Sequence, residues 1–437
     1  MGYDSPNILS THSGRKEAFR PETQQIRAEG LRNFGLAGIE GLRGVAALSV
    51  LVYHLALTTS FQVQTGPLEI LFSLCNQGLT LFFVLSGFLL YRPFVSAIVQ
   101  GRQLPSFRRY AYNRLLRIYP AYIVIFVVTG LFVGSVYLHG STHGFGPENI
   151  GRLTDPLKIA ANVLLVQMFV PEYVMSGLPV SWSLTAEITF YFVLPLVAVL
   201  ALWRIRKGSR KTSALVCAPL AMVIVGLGIT VWASDAASRM SPIDAANFGF
   251  GQTGSAVFLR SFLAQADLFG YGMLAAVAVV MLHERGVERV QTRVKAALVL
   301  AAALIEILAL EFARPVISTV SGVAAALVLV AVVLPSSRGD DLNRTARVLE
   351  WLPFRFTGVM SYSIYLWHLS VIFWLMAHHW TFGQNTLSLP LNGLLVLAIT
   401  LSLSTLTYYF VERPAMKLKR PTMKAQQPVP EQELSVK

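Results

Sequence analysis

Ten stretches of this chain are apolar for long enough to cross a bilayer, and nothing else in the sequence restricts the fold as tightly. They lie near 41–61, 78–99, 118–138, 183–203, 213–233, 261–282, 296–312, 315–335, 357–378 and 389–411. In hydrocarbon every backbone N–H and C=O must find its partner within the chain, so apolar runs of about 20 residues become helices. The fold class that follows is an all-α polytopic membrane protein with about ten transmembrane helices. An eleventh stretch, 157–170 (LKIAANVLLVQMFV), is short and carries Asn162 and Gln167. It reads as a re-entrant or interfacial segment rather than a span. A charged fraction of 14% and a mean hydropathy of +0.56 exclude a soluble domain.

Charge gives the layout a direction. Of the 36 lysines and arginines, 31 fall in segments that the layout puts on the side of the N-terminus and 5 on the other. The positive-inside rule then places both termini in the cytoplasm of a multi-pass plasma-membrane protein. Making 157–170 a full span would invert everything after it and destroy the bias. The net charge of +13 does not point to nucleic acid, because the positive residues lie between apolar segments and never run six together. Residues 1–38 and 414–437 are expected to be mobile cytoplasmic tails around a membrane domain at 39–413, with no cleavable signal in the first. Cys75 and Cys217 fall on opposite halves of the membrane, which argues against a structural disulfide and a cysteine-based metal site; no metal is expected. No internal repeat is visible.

Ionisable residues inside spans are costly and mark function. His54 lies eleven residues after Arg43 in GIEGLRGVAALSVLVYHLAL, about 16 Å further along one helix. The plainer alternative is a histidine bonded to a backbone carbonyl, with Arg43 anchoring at the headgroups. On the layout above, Glu187, Asp267 and Glu306 also fall in the outer half, and His368 near the middle of its span. Arg114 and Arg117 stand at i, i+3 on an amphipathic segment, so both guanidinium groups face one way and can fork onto phosphate. Positive-inside bias accounts equally well for the other inner arginines. Glu187 could instead bond Trp182, Ser183 or Thr185 at its helix start, and Asp267 and Glu306 could be interhelical glue. His378 and His379 sit near the outer interface, where solvated histidines are ordinary. Metalloprotease, P-loop and α/β-hydrolase motifs do not occur.

The stretches GLRGVAALSVLVYH, FFVLSGFLLYRPF (82–94), RLLRIYPAY (114–122), SWSLTAEITFYFVLPL (181–196), YSIYLWH (362–368) and FVERP (410–414) run in one order along the chain. Together they resemble acyltransferase family 3, membrane proteins that O-acylate sugars, glycolipids, peptidoglycan and macrolides. The family's arginine–ten residues–histidine motif falls on Arg43 and His54. Its arginine pair falls on Arg114 and Arg117, and its Trp-Ser-x-x-x-Glu stretch on Trp182, Ser183 and Glu187. The resemblance implies ten spans and an acyl-coenzyme A co-substrate, usually acetyl, with no permanently bound cofactor.

The expected function is therefore membrane O-acyl transfer. Arg114, Arg117 and Arg43 would hold the donor's phosphates, and the pantetheine arm would present the thioester near His54. His54 would act as general base on an acceptor hydroxyl, with Glu187 orienting its imidazole; an acyl-histidine intermediate is a variant of the same site. Trp182, Ser183, His368 and Asp267 are expected in support. The acceptor is expected from the outer side: a cell-envelope carbohydrate or glycolipid first, a macrolide or other secreted metabolite second. The rivals from other classes are a flippase for a lipid-linked glycan and a catalytically silent scaffold.

Overall fold

The computed structural model describes residues 37–59, 68–139, 149–287, 289–334, 344–383 and 387–420. Residues 1–36 and 421–437, most of the two expected tails, lie outside the described residues. In chain order the helices are α1 (Ile39–Thr59), α2 (Glu69–Asn76), α3 (Gly78–Val99), α4 (Phe107–Phe126), α5 (Pro156–Val163), α6 (Trp182–Arg206), α7 (Lys211–Ser238), α8 (Pro242–Phe250) and α9 (Gly254–Leu259). They continue as α10 (Ala266–Glu284), α11 (Thr292–Phe312), α12 (Ile317–Val333), α13 (Arg344–Leu349), α14 (Leu352–Val359), α15 (Ser361–Ala377), α16 (Leu389–Thr407) and α17 (Arg413–Lys417). A two-residue ladder, β1 (Val136–Tyr137) with β2 (Ile150–Gly151), pairs Val136 with Gly151 and Tyr137 with Ile150 in antiparallel register.

Among the described residues eight helical segments are long and apolar enough to span by length and composition, and α14 with α15, a pair bent by 77°, passes the same test when the two are taken together. This is an all-α polytopic membrane protein. The tenth expected span, 296–312, is present as α11 but falls short on composition, because it holds Arg293, Lys295, Glu306 and Glu311. Its polar groups are answered from α12: Lys295 Nζ donates to the carbonyl of Leu334, and Ser321 Oγ donates to Glu306 Oε2 at 2.9 Å. The expected span at 118–138 begins eleven residues earlier, because RRYAYNRLLR is continuous with it in α4, which then runs into a π-helical turn at Val127–Val133.

The short stretch at 157–170 is not a span. It is the eight-residue α5, capped by Asp155, followed by a 3-10 turn at Gln167–Phe169. Its polar residues fix it to the bundle. Tyr122 OH donates to the Asn162 carbonyl at 2.7 Å, Asn162 Nδ2 donates to Ser176 Oγ at 3.1 Å, and Gln167 Nε2 donates to Ser181 Oγ at 2.9 Å. Ser181 immediately precedes α6, so this segment sets where Trp182, Ser183 and Glu187 start.

Two close helix approaches set the core. At Gly87 of α3 a Cβ would stand 2.2 Å from the Phe269 carbonyl of α10, and at Gly272 of α10 one would stand 2.0 Å from the Val84 carbonyl of α3. At Gly358 of α14 a Cβ would stand 1.8 Å from the Glu40 carbonyl of α1. Only glycine lets these backbones meet, the usual device where no hydrophobic effect drives helices together. The first contact seats α3 in the bundle centre. The second clamps the arginine-bearing end of α1 under the α14–α15 bend.

Candidate active site

Two cavities share one wall at the centre of the bundle. The smaller, about 120 Å³, is lined by Arg43 of α1, Arg114 and Arg117 of α4, Glu187 and Tyr191 of α6, and Ser86 of α3. The larger, about 540 Å³, is lined by His54 and Tyr53 of α1, Trp182 of α6, Tyr137 of β1, Phe250 of α8 and Arg260. Leu79, Phe83 and Tyr365 line both. Arg43 and His54, on one helix, thus face different chambers.

In the arginine chamber, Arg114 Nε and Arg117 Nη2 are buried and have no hydrogen-bond partner among the described residues. Leaving a buried charged donor unmade costs on the order of 1–3 kcal/mol, a cost that an anion in this chamber would relieve. The Arg114 guanidinium lies 5.7 Å from the Tyr110 ring and 6.0 Å from the Tyr191 ring, and Arg117 Nη1 rests 3.3 Å from Met416 Sδ. Glu187 Oε1 accepts from Tyr191 OH at 2.8 Å and Ser86 Oγ at 3.2 Å. The expected pairing of Glu187 with the His54 imidazole therefore gives way to a different arrangement. One turn and more into α6, its carboxylate points to the arginine chamber.

In the larger chamber His54 is held by its own helix and by α15. His54 Nδ1 lies 3.0 Å from the Val50 carbonyl and 3.0 Å from His368 Nε2, while His368 Nδ1 lies 3.2 Å from the Ile364 carbonyl. Carbonyl oxygens only accept, so each Nδ1 carries its ring's proton; this tautomer follows from the network. His368 Nε2 then accepts, and the proton on His54 Nδ1 is shared between two acceptors. Nε2 is then the unprotonated ring nitrogen of His54, in a half-buried side chain lining the chamber. The plainer alternative for His54, a carbonyl-bonded histidine, is thus also true, and the bond sets the tautomer. His368 is fully buried and meets the chamber through its contact with His54.

The supporting residues separate. Ser183 bonds the OH of Tyr365 at 2.8 Å, and that hydroxyl also donates to the Val180 carbonyl at 3.1 Å, which fixes the shared wall. Trp182 faces the histidine chamber. Asp267 lines neither: it is buried where α10 crosses α7, with the bare Cα of Gly226 leaving it room, and it lines a separate cavity with Gln265 and Ser318. The structure places it apart from both chambers.

Arg260, between α9 and α10, went unread in the sequence. Its guanidinium carbon sits 3.9 Å from the Phe250 ring centre and 4.9 Å from that of Trp182, and its Nε donates to the Gly249 carbonyl at 3.4 Å. Burial pushes it down from the usual arginine range to about 10, opposed by the hydroxyls of Tyr365 and Tyr53. No carboxylate is among the groups that act on it. The signal was available, since Arg260 is one of five cations on the sparse side of the charge count.

Comparison of the whole chain with known proteins shows its family. The family model of an acyltransferase domain, acyltransferase family 3, matches residues 36–409. The chain belongs to this family. It is a membrane-embedded O-acyltransferase. It is 27% identical to the acyltransferase MdmB of Streptomyces mycarofaciens over 90% of this chain and 95% of that protein. It is 23% identical to the peptidoglycan O-acetyltransferase OatA of Listeria monocytogenes and 25% identical to YrhL of Bacillus subtilis, over 87% of this chain in each case. The chain spans about half the length of those two, 55% and 54%. No solved structure matches the chain at a significant level.

Proposed function

We propose that this acyltransferase moves an acyl group, acetyl first, from acyl-coenzyme A to a hydroxyl of a cell-envelope carbohydrate. The observation that carries the reading is the division of the site: orphaned arginine nitrogens in one chamber, a basic imidazole nitrogen in the next, and a shared wall of three residues between. The donor's phosphates bind Arg43, Arg114 and Arg117, and its arm carries the thioester past Phe83 and Tyr365. Glu187 offsets the arginine charge when the chamber holds no donor. A hydroxyl of the acceptor gives its proton to Nε2 of His54 as its oxygen attacks the thioester carbonyl carbon. The carbon–sulfur bond breaks, and the thiolate leaves with the proton that His54 returns, giving an ester and a free thiol.

A carbohydrate acceptor suits the larger chamber, whose volume lies within the usual range for small-molecule sites. Rings of Tyr53, Tyr137, Trp182 and Phe250 offer flat apolar faces, and Asn76, Gln265 and Arg260 offer polar groups. Two relatives point the same way by name. The charge bias supports a plasma-membrane location with both termini in the cytoplasm, the arginine chamber toward the cytoplasm and the acceptor entering from outside.

The test is transfer of labelled acetyl from acetyl-coenzyme A to soluble peptidoglycan fragments by purified protein in proteoliposomes. Label should appear in the glycan in a His54-dependent manner, with donor and acceptor on opposite sides. Lipid scrambling without release of coenzyme A would instead support a flippase. Transfer only with both substrates on one side would overturn the through-membrane path.

A further inference from the structure

The segment that leaves α17 turns back onto α4. Arg420 N donates to Asn113 Oδ1 at 2.9 Å, and Asn113 Nδ2 donates to the Arg420 carbonyl at 2.8 Å, so one buried amide satisfies both backbone groups of Arg420. The Arg420 guanidinium also lies 5.1 Å from the Tyr112 ring. A second tie is the contact of Arg117 with Met416 on α17. Asn113 and Arg117 stand at i, i+4, hence on one face of α4. The two ties bracket Lys419 and bring it to the arginines.

We infer that Lys419 is a fourth cation of the donor site, held there by the Asn113–Arg420 clasp, and that this site takes a ligand carrying several phosphate groups. The inference rests on the donor reading above and deepens it. A lysine in a basic tail would ordinarily be solvated and far from other cations. Here the ammonium is half-buried, and burial followed by the like charges of Arg117, Arg114 and Arg43 pushes it down to about 8. Glu412 is the acid that opposes this; its Oε1 accepts from Ser363 Oγ, and its Oε2 is buried without a hydrogen-bond partner. Glu187 is likewise occupied by two hydroxyls. Four cations gathered against two carboxylates carry excess positive charge and repel one another unless a polyanion binds among them. The buried nitrogens of Arg114 and Arg117 that lack partners are the places where it would bind.

The sign of the pH dependence follows. The bound phosphates favour charged Lys419, so affinity is highest where the ammonium is intact and falls as pH rises through about 8. Desulfo-coenzyme A is the probe, since it keeps the phosphates and has no thiol to titrate. Its equilibrium binding is measured on the purified full chain, with tripolyphosphate as a second ligand. Lys419→Gln should weaken desulfo-coenzyme A about tenfold, the loss of one charge-assisted contact, and Lys419→Arg should hold it within about twofold. Wild-type affinity should fall about tenfold between about pH 7 and about pH 9, and Lys419→Arg should flatten that fall, because a guanidinium keeps its charge there. Asn113→Ala should weaken binding in the same direction.

Wild-type-like binding by Lys419→Gln, or an unchanged pH fall in Lys419→Arg, would overturn the inference and leave the donor reading standing. Binding of tripolyphosphate but not of desulfo-coenzyme A by the wild type would defeat the donor reading, and a loss in Lys419→Gln would still uphold the phosphate site. Binding of neither would overturn both.

Discussion

The two chambers differ in what they leave unsatisfied. The arginine chamber is small and holds buried donors without partners, so it is built to be completed by an anion. The histidine chamber is more than four times larger, walled by aromatic rings, and its central ring already has a partner at Nδ1. On the proposed function, one side takes the donor's charge and the other takes the acceptor's proton. The lesson is that binding and chemistry can be divided between two ends of one helix, with α1 supplying Arg43 to the first chamber and His54 to the second.

The most severe way to break the comparison is His54→Ala. Loss of a general base should lower turnover by about 10²–10⁴-fold while the protein still purifies as one species. Turnover above half the wild-type value would make His54 structural. Next comes Arg117→Ala, which should lower turnover per unit of donor by about 10–150-fold, equivalent to about 1.5–3 kcal/mol of charge-assisted bonding. The change belongs in donor KM, with acceptor KM held; Arg114→Ala should do the same less strongly. Equal losses with acetyl-coenzyme A and its dephospho form would show that neither arginine reads the 3′-phosphate.

Smaller effects sharpen the division. Arg260→Gln should raise acceptor KM about 3–30-fold through loss of the stacked cation and leave donor KM alone. A matching rise in donor KM would mean the wall does not separate the two substrates. His368→Gln should cost about 2–10-fold in kcat, the worth of an ordinary hydrogen bond, and shift the pH–rate profile because it alters the acceptor for His54 Nδ1–H. A kcat loss with an unmoved profile would reduce His368 to packing.

How much of this could be read beforehand differs between the chambers in an instructive way. Helix positions follow from apolar runs, because lipid forces each run to satisfy its own backbone; Gly78–Val99 was placed to the residue. Arg114 and Arg117 could be paired in advance because their spacing on one helix fixes a common face, whereas Arg43 comes from α1. Glu187 was expected beside the imidazole and instead bonds Tyr191 and Ser86, since a depth along the membrane says nothing about azimuth, and two groups at one depth can face opposite chambers. The 77° bend between α14 and α15 was invisible for a related reason: hydropathy continues smoothly through a break at Met360. Lys419 was hidden among the basic residues of a tail, and only the Asn113 clasp sets it apart.

The central claim is that donor phosphates and the transferred proton are handled in separate chambers. Equilibrium binding of desulfo-coenzyme A to His54→Ala and Arg117→Ala, side by side with wild type, tests it most directly. The account predicts that His54→Ala binds within about twofold of wild type while transfer is lost, and that Arg117→Ala loses about tenfold or more in binding. Donor binding weakened by His54→Ala as much as by Arg117→Ala, or left intact by Arg117→Ala, would contradict it.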